Sequence, residues 1–333
     1  MRLSVLDQSV AVAGRSEDAS IRETVELAQY CEALGYHRFW VSEHHNHPSI
    51  VGTAPEILMA AIAARTNRIR IGSAGVMLPH YATLKVAEQF RVLDALAPGR
   101  IDLGVGRAPG SDFRTALALN PDAARAAERF PDQVQELRAM LAGRPGAGGV
   151  IARPQGATAP VVWMLGSSDY GARLAAHLGL PYAFAHFITD GRGTEEALEL
   201  YRSLYRPTEA HPRPQATVCI WALTAATEDE AWHLFASRAR WRIARSRGEL
   251  FPLPSPEEAL ADDYNEVEAA EVALLRQRSV VGTPAQVAQR LRDLAARWEV
   301  EELVVLTWAH DPAARRRSYA LLAQAFGLGR SGD

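Results

Sequence analysis

The chain has 333 residues, of which 48% are hydrophobic, 23% are charged and 8% are aromatic. A chain of this size and composition buries about three quarters of its unfolded surface, which excludes a disordered, collagen-like or coiled-coil protein. The formal net charge of −3 gives no positive field that would attract nucleic acid or an anionic membrane. We therefore expect small molecules as partners.

The two cysteines, Cys31 and Cys219, are far apart, and no CxxC or Cys/His spacing accompanies either of them. This pattern predicts neither a disulfide framework nor a zinc site. The first apolar run reaches Asp7 at once and lacks a signal-peptide pattern. The most apolar stretch, 54–64, contains Glu56 and is too short to span a bilayer. We expect a cytoplasmic protein that is not embedded in a membrane.

Short apolar runs typical of strands alternate with segments whose apolar residues recur every three or four positions. We predict eight strands: Leu3–Leu6, Arg38–Val41, Ile69–Ala74, Ile101–Val105, Val161–Leu165, Tyr182–Ala185, Thr217–Leu223 and Leu303–Leu306. The segments between them place apolar side chains on one helical face, as Val86, Phe90 and Leu93 do. Eight strands alternating with helices predict an α/β fold of the (β/α)8 TIM-barrel type.

The chain is longer than the ~250 residues of a typical TIM barrel, so we expect insertions. Turn-rich sequence places them at 107–124 after the fourth strand, at 143–160 before the fifth strand, and at 248–282 after the seventh. No Gly/Ser linker divides the chain, and no repeat at a solenoid period is present. We therefore predict a single domain over 1–333.

Barrel enzymes carry their active sites at the C-terminal ends of the strands. The second predicted strand is followed by the segment 42–47, SEHHNH. A neutral imidazole there can exchange a proton near its ordinary pKa of about 6.5, which makes His44 the first candidate for a general base. Glu43, His45 and His47 would also suit zinc or iron, but no other strand end completes a ligand shell, so we predict no metal. We expect His47 to form hydrogen bonds within the loop wall.

The fifth predicted strand leads through Gly166, Ser167 and Ser168 into a helix. The first N–H groups of a helix, together with two hydroxyls, suit an anion such as phosphate. Arg107 follows the neighbouring fourth strand and can add a bidentate contact. A capped helix and a surface ion pair would explain the same residues. If the barrel forms, the two segments meet and indicate a phosphate site.

Several common motifs are missing from the sequence, including the P-loop, the G-x-S-x-G elbow and the G-x-G-x-x-G fingerprint. The single lysine, Lys85, lies in a helical pattern, so a Schiff-base mechanism has no good candidate. Five tryptophans are expected to pack in the core or on helix faces rather than form a binding site: Trp221, Trp232, Trp241, Trp298 and Trp308.

Five segments, in order, resemble the bacterial luciferase-like flavin monooxygenases. They are LDQS at the first strand, EHH after the second, GSAGVMLP at the third, PGRIDLGVGR at the fourth and LGSS at the fifth. The resemblance runs from Leu3 to about Phe187. The later segment VGTPAQVAQRL, 281–291, is similar to the helix before the final strand in that family, whereas 188–280 match weakly.

The resemblance implies a barrel that binds flavin mononucleotide (FMN) at the strand ends and uses dioxygen to oxygenate a small organic substrate. A separate NAD(P)H-dependent flavin reductase would supply the FMN in its reduced form, and the chain would form a homodimer. In such a protein His44 would lie beside the reacting flavin. Ala74 and Gly75 would form a non-proline cis peptide beneath the flavin ring, and Arg107 and the two serines of the fifth-strand segment would hold the phosphate.

The sequence departs from the light-emitting members, because Gly106 stands where they carry a reactive cysteine. We therefore expect no light emission and place the chain nearer to the broad, uncharacterised monooxygenase branch. Two alternatives remain open. One is a deazaflavin-dependent hydride-transfer oxidoreductase with a similar phosphate pocket, and the other is a barrel that holds flavin without turnover. The presence of His44 argues against the second.

Overall fold

A computed structural model of the chain describes residues 1–108 and 112–329. Its strands, β1 to β9 in chain order, are Arg2–Asp7, Arg38–Val41, Arg70–Met77, Ile101–Gly106, Val161–Gly166, Tyr182–Ala185, Ala216–Thr224, Val280–Gly282 and Glu302–Leu306. Eight of them close into a parallel barrel in the order β1–β2–β3–β4–β5–β6–β7–β9 and back to β1. The predicted (β/α)8 barrel is confirmed.

Fourteen α-helices lie in the described part of the chain and surround the barrel. In order, α1 to α14 are Glu17–Leu34, Pro55–Ala63, Thr83–Leu96, Phe113–Leu119, Ala123–Glu128, Phe130–Leu141, Asp169–Leu178, His186–Thr189, Thr194–Leu204, Glu228–Ser246, Pro256–Leu260, Glu266–Arg278, Pro284–Arg297 and Pro312–Phe326. Short 3-10 helices at Leu78–His80 and Ala147–Gly149 complete the described secondary structure.

Each of the eight predicted strands is present, with ends that differ by a few residues. The prediction missed β8, a three-residue strand that pairs with the end of β7 outside the barrel ring, where Val281 lies opposite Leu223. Three residues are too few to show a strand period. The prediction also ended β3 too early, because a register shift between Ser73 and Val76 lets that strand continue to Met77.

The three stretches predicted as insertions carry little strand structure. Residues 107–124 include α4 and the start of α5, and 109–111 within them lie outside the described residues. Residues 143–160 contain one short 3-10 helix, and 248–282 contain α11, α12 and β8. The end of the predicted domain, 330–333, is also outside the described residues.

The core lies between the outer face of the barrel and the helices around it. The predicted helical face of α3 is buried, with Val86, Phe90 and Leu93 at most 3% exposed. Cys31 and Cys219 are both buried and free, as the sequence predicts. Within the described residues, no helix combines the length and the apolar character that a bilayer crossing needs.

The N-terminal half of the barrel interior contains a buried ionic network. Both carboxylate oxygens of Asp102 are used: Arg38 Nη1 and Trp40 Nε1 donate to Oδ2 over 2.7 and 3.0 Å, and Arg70 Nη2 donates to Oδ1 over 2.6 Å. Arg38 Nε also donates to Glu302 Oε1 over 2.8 Å. A buried charge is stable only when it is paired in this way.

Two indole rings lie beside this network. The ring centroids of Trp40 and Trp163 are 5.2 Å apart in an edge-to-face arrangement, and the guanidinium of Arg38 lies 5.0 Å from the Trp163 ring. Both tryptophans are at most 1% exposed. We call Arg38, Trp40, Asp102, Trp163 and Glu302 the barrel floor, because they fill the lower half of the barrel.

Candidate active site

A cavity of about 800 Å³ opens at the C-terminal ends of the barrel strands. This volume lies in the range of sites for small molecules and cofactors. The cavity is lined by all seven residues predicted for the site: His44, Ala74, Gly75, Arg107, Gly166, Ser167 and Ser168. Residues that are up to 124 positions apart in the chain are therefore brought together by the barrel, as the prediction requires.

His44 lies in the loop that follows β2. Its backbone N–H donates to the carbonyl of Gly52 over 3.0 Å, and its Nδ1 lies 3.2 Å from the hydroxyl of Ser42. Burial, followed by the charges of the nearby histidines and Arg245, lowers the pKa of His44 to about 4. The sequence-based expectation of a pKa near 6.5 was wrong, because it did not include burial. At neutral pH the imidazole is therefore uncharged.

The neighbouring Glu43 and His45 tie the β2 loop to the end of β3. Glu43 Oε1 accepts from the Tyr81 hydroxyl over 2.7 Å and lies 2.8 Å from His45 Nε2, while Oε2 accepts from the Met77 backbone N–H over 3.1 Å. Burial and the charge of Glu43 raise the pKa of Tyr81. Across residues 1–108 and 112–329, no three His, Cys, Asp or Glu side chains are grouped as a metal site requires.

His47 forms a contact within the loop wall, as predicted. The backbone N–H of Ser49 donates to its Nδ1 over 3.1 Å. Its ring centroid lies 6.2 Å from that of His44 and 6.4 Å from that of Trp241. These ring contacts connect the β2 loop to helix α10.

The peptide bond between Ala74 and Gly75 is cis, as the resemblance implied. This peptide lies in β3 and lines the cavity. A Cβ at position 75 would lie 2.4 Å from Leu165 Cδ1 and 2.7 Å from the Gly104 carbonyl oxygen. Because the carbonyl belongs to the adjacent strand and cannot move away, only glycine fits at this position.

The phosphate candidates meet at the start of α7. Ser168 is the N-cap residue of this helix, but its hydroxyl forms no capping hydrogen bond. The guanidinium of Arg107 lies 3.8 Å from the centre of the Tyr170 ring in the first turn of α7 and forms no ion pair with the described residues. The alternative explanation of these residues, a capped helix beside a surface ion pair, is therefore not what the structure contains.

Three tryptophans line the cavity, which corrects the prediction that they pack in the core or on helix faces rather than form a binding site. Trp221, Trp241 and Trp308 are buried and line the cavity, whereas Trp232 and Trp298 do not. The rings of Trp241 and Trp308 are 4.7 Å apart, edge to face. A signal was present in the sequence, because Trp308 lies two residues beyond β9, at a strand end.

Helix α10 adds a group of basic residues that the sequence analysis did not assign. Arg238, Arg242 and Arg245 line the cavity. Arg238 Nη2 lies 3.6 Å from Asp190 Oδ1, and Arg242 forms an ion pair with the other oxygen of Asp190. The guanidinium of Arg245 lies 5.6 Å from the Trp241 ring. Spacings of four and three residues place these arginines on one helical face, which is the signal that could have identified them.

Comparison with known protein sequences gives matches over the whole chain. The family model described as luciferase-like monooxygenase matches residues 1–301. The uncharacterized protein YwcH of Bacillus subtilis is 44% identical over 329 residues, which cover 97% of this chain and 98% of that protein. The N-acetyl-S-alkylcysteine monooxygenase of the same organism is 37% identical over 340 residues, with 98% of each chain covered.

Solved structures give the same result. The crystal structure of apo-MsnO8 superposes with a TM-score of 0.92 at 39% identity and 98% coverage of both chains. The fold alone is shared with the oxygenating constituent of 3,6-diketocamphane monooxygenase of Pseudomonas putida in complex with FMN, with a TM-score of 0.74, 18% identity and 97% coverage of each chain. An F420-dependent secondary alcohol dehydrogenase also shares the fold, with a TM-score of 0.68, 14% identity and coverage of 97% and 98%. The chain belongs to the luciferase-like monooxygenase family.

Proposed function

We propose that this chain is a flavin-dependent monooxygenase that takes reduced FMN and dioxygen and oxygenates a small organic substrate. The observation that carries the proposal is the convergence of the seven predicted residues on one cavity in a chain of this family. Bound reduced flavin supplies the electrons that activate dioxygen, and the protein supplies binding, orientation and proton transfer.

The end of the cavity at β4 and β5 fits a phosphate. The first N–H groups of α7 have no acceptor within the helix, and the Ser168 hydroxyl does not cap them. Arg107 adds a positive charge beside this helix end. We assign Arg107, Ser167 and Ser168 to the phosphate of FMN, with Gly166 allowing close approach to the helix.

The end of the cavity at β3 fits a flat ring with polar edges. The Ala74–Gly75 peptide lines this part of the cavity. Gln8, at the end of β1, is 3% exposed and also lines the cavity, and its Oε1 has no donor among the described residues. A buried acceptor without a donor is costly, and a flavin ring carries an N–H group that can satisfy it.

His44 is assigned to proton transfer. The hydroxyl of Ser42 lies beside Nδ1, so Nε2 is the ring atom left for exchange with a ligand. Burial lowers its pKa to about 4, so the imidazole is neutral at physiological pH and a weak base in the empty site. A bound anionic ligand would raise that pKa toward the operating pH and let Nε2 take a proton from the substrate.

Four further parts of the proposal concern the reductase, the assembly, the domain and the location. Delivery of reduced FMN by a separate NAD(P)H-dependent reductase, a homodimeric assembly, a single domain over 1–333 and a cytoplasmic location all remain predictions. The alternative cofactor is a deazaflavin used for hydride transfer, since an F420-dependent enzyme shares the fold. Flavin storage without turnover is the other alternative.

An anaerobic titration tests the cofactor first. The protein is titrated with reduced FMN and, separately, with a reduced deazaflavin, and each complex is then mixed rapidly with dissolved dioxygen while absorbance is recorded. We expect tight binding of FMN and a phase in which the absorbance matches neither the reduced nor the oxidised flavin. Binding of the deazaflavin alone would favour the hydride-transfer alternative. FMN binding followed by reoxidation at the rate of free flavin would favour storage.

A further inference from the structure

The cavity wall formed by α10 carries more positive charge than its surroundings neutralise. Among the described residues that line the cavity, four are arginines and one, Asp112, is acidic. Arg238 and Arg242 share the single carboxylate of Asp190, and Arg245 has no ion pair among the described residues. The three guanidinium groups of α10 and one carboxylate therefore leave two positive charges at this wall.

Arg245 is the member of this group most available to a ligand. Its side chain is exposed at the cavity, with its guanidinium 5.6 Å from the Trp241 ring. Its charge contributes to the lowered pKa of both His44 and His47, which places it within electrostatic reach of the proposed base. Arg238, in contrast, is buried and already donates to the Ser279 hydroxyl over 3.2 Å.

The position of Arg245 separates it from the phosphate end of the cavity. Ring contacts lead from Trp241 to His47 over 6.4 Å and from His47 to His44 over 6.2 Å, so Arg245 lies on the His44 side. The phosphate candidates follow β4 and β5 instead. Arg245 and the phosphate candidates therefore lie in different parts of the same cavity.

Part of the cavity surface near Arg245 is apolar. The edge-to-face pair of Trp241 and Trp308 lines the cavity, and two large apolar side chains at its mouth remain exposed, with Ile188 at 46% and Leu250 at 43%. Apolar side chains exposed within a concave site favour a ligand with an apolar body. A free guanidinium beside such a surface favours a ligand whose body ends in an anion.

We propose that the substrate is a small carboxylic acid with an apolar body, whose carboxylate binds Arg245 and whose body lies against Trp241 and Trp308. This inference rests on the proposed monooxygenase function. One uncompensated guanidinium balances a monoanion, and its fork of N–H donors matches the two oxygens of a carboxylate. Arg242 shares the carboxylate of Asp190 with Arg238, so it adds positive charge that also attracts the carboxylate of the substrate.

Matched acids and amides test this assignment. The probes are 4-phenylbutyrate, indole-3-acetate and N-acetylmethionine, each paired with its primary amide, and binding to the FMN-loaded protein is measured by calorimetry. We expect at least one acid to bind more than tenfold more tightly than its amide. This preference should disappear in Arg245→Gln and persist in Arg245→Lys. Arg247→Gln is the matched control, because Arg247 follows α10 but does not line the cavity.

Four results would overturn the assignment: equal binding of acids and amides, no binding of any acid, an acid preference that survives in Arg245→Gln, or loss of FMN binding in Arg245→Gln. FMN affinity measured on the same variants separates this proposal from the proposed function. We expect Arg245→Gln to bind FMN as the unchanged protein does. If the unchanged protein bound no FMN, the proposed function would fail, whereas the acid preference could still be measured on the protein alone. If Arg245→Gln lost FMN binding, Arg245 would belong to the cofactor site and the substrate assignment would be wrong.

Discussion

The guanidinium carbon of Arg107 lies 3.8 Å from the centre of the Tyr170 ring. This contact joins the end of β4 to the first turn of α7 and holds a positive charge next to the start of that helix. Stacking on an aromatic ring orients the planar guanidinium without neutralising it. The charge therefore remains available to an anionic ligand.

Replacement of Arg107 by alanine is expected to weaken FMN binding by about 10- to 100-fold. A hydrogen bond to a charged group contributes about 1.5–3 kcal/mol, which corresponds to this range. The dissociation constant is measured by quenching of flavin fluorescence. The assignment of Arg107 to the phosphate would be wrong if Arg107→Ala bound FMN and riboflavin with the same affinities as the unchanged protein.

Tyr170 gives a graded test of the same contact. Tyr170→Phe keeps the ring and should leave the FMN dissociation constant within about twofold. Tyr170→Ala removes the stacking surface, and loss of about 0.5–1 kcal/mol should weaken FMN binding about two- to fivefold. Equal losses of FMN affinity in the two variants would implicate the hydroxyl instead of the ring, and no loss in Tyr170→Ala would show that the stacking does not contribute.

A methyl group at position 75 is expected to disrupt the site. Gly75→Ala places a Cβ 2.7 Å from the Gly104 carbonyl oxygen, and overpacking of this kind costs about 1–3 kcal/mol. Both thermal stability and FMN affinity should fall. Gly106→Ala is the matched control, because its nearest atom, Met77 Sδ, is 3.9 Å away. Equal melting temperatures for the two variants would contradict the steric argument.

His44→Ala is expected to retain FMN affinity and to lose turnover by about 100-fold or more, the usual contribution of a general base. His177→Ala, on the exposed face of α7, serves as the control and should have no effect. Because the native pKa of His44 is about 4, its titration should not shape the rate between about pH 6 and pH 8. Unchanged turnover in His44→Ala would remove His44 from the mechanism.

The lowered pKa of His44 also predicts how stability depends on pH. As pH falls, the unfolded chain binds a proton near pH 6.5, whereas the native imidazole stays neutral until about pH 4. In this pH window the unfolded state binds more protons than the native state does. The native state therefore becomes less stable as the pH is lowered. His44→Gln should reduce the loss of unfolding free energy between pH 7 and pH 4 by up to about 3 kcal/mol. Urea denaturation at both pH values measures the difference, with His177→Gln as the unaffected control.

Asp102 in the barrel floor is expected to be essential for stability. Asp102→Ala leaves Arg38 and Arg70 without their shared carboxylate, and removal of one partner of a buried ion pair costs about 3–5 kcal/mol. Asp18→Ala removes an exposed carboxylate that pairs with Arg22 within α1, and such exposed pairs contribute little to stability. Similar unfolding free energies for the two variants would argue against a structural role of the floor.

The regular alternation of strand and helix patterns was enough to predict the barrel, because each unit buries a continuous apolar run. The barrel floor was beyond prediction. Arg38 lies 64 residues from Asp102 and 264 residues from Glu302, and no local pattern shows that strands so far apart direct these side chains to one point. A reading of the sequence identifies the charged residues, but the pairing depends on barrel closure.

In the candidate site, too, some residues could be predicted from the sequence and others could not. The residues that follow strands, including His44 and Arg107, could be predicted because a barrel directs all its strand ends to one mouth. Arg245 and Trp241 were missed. The spacing of the α10 arginines places them on one helical face, but the orientation of that helix over the mouth depends on tertiary packing. The predicted pKa of His44 was wrong for a related reason. Burial lowers this pKa, and that burial depends on the residues that cover His44 in the folded chain.

The barrel floor has a consequence for the order in which molecules enter. Its ionic network and the rings of Trp40 and Trp163 fill the lower half of the barrel. The cavity is therefore closed at the floor and opens at the strand C-termini. Under the proposed function, flavin, dioxygen and the organic acid must all use that opening. A substrate bound at Trp241 and Arg245 would then lie between the flavin and the opening. We therefore expect the cofactor to bind before the substrate.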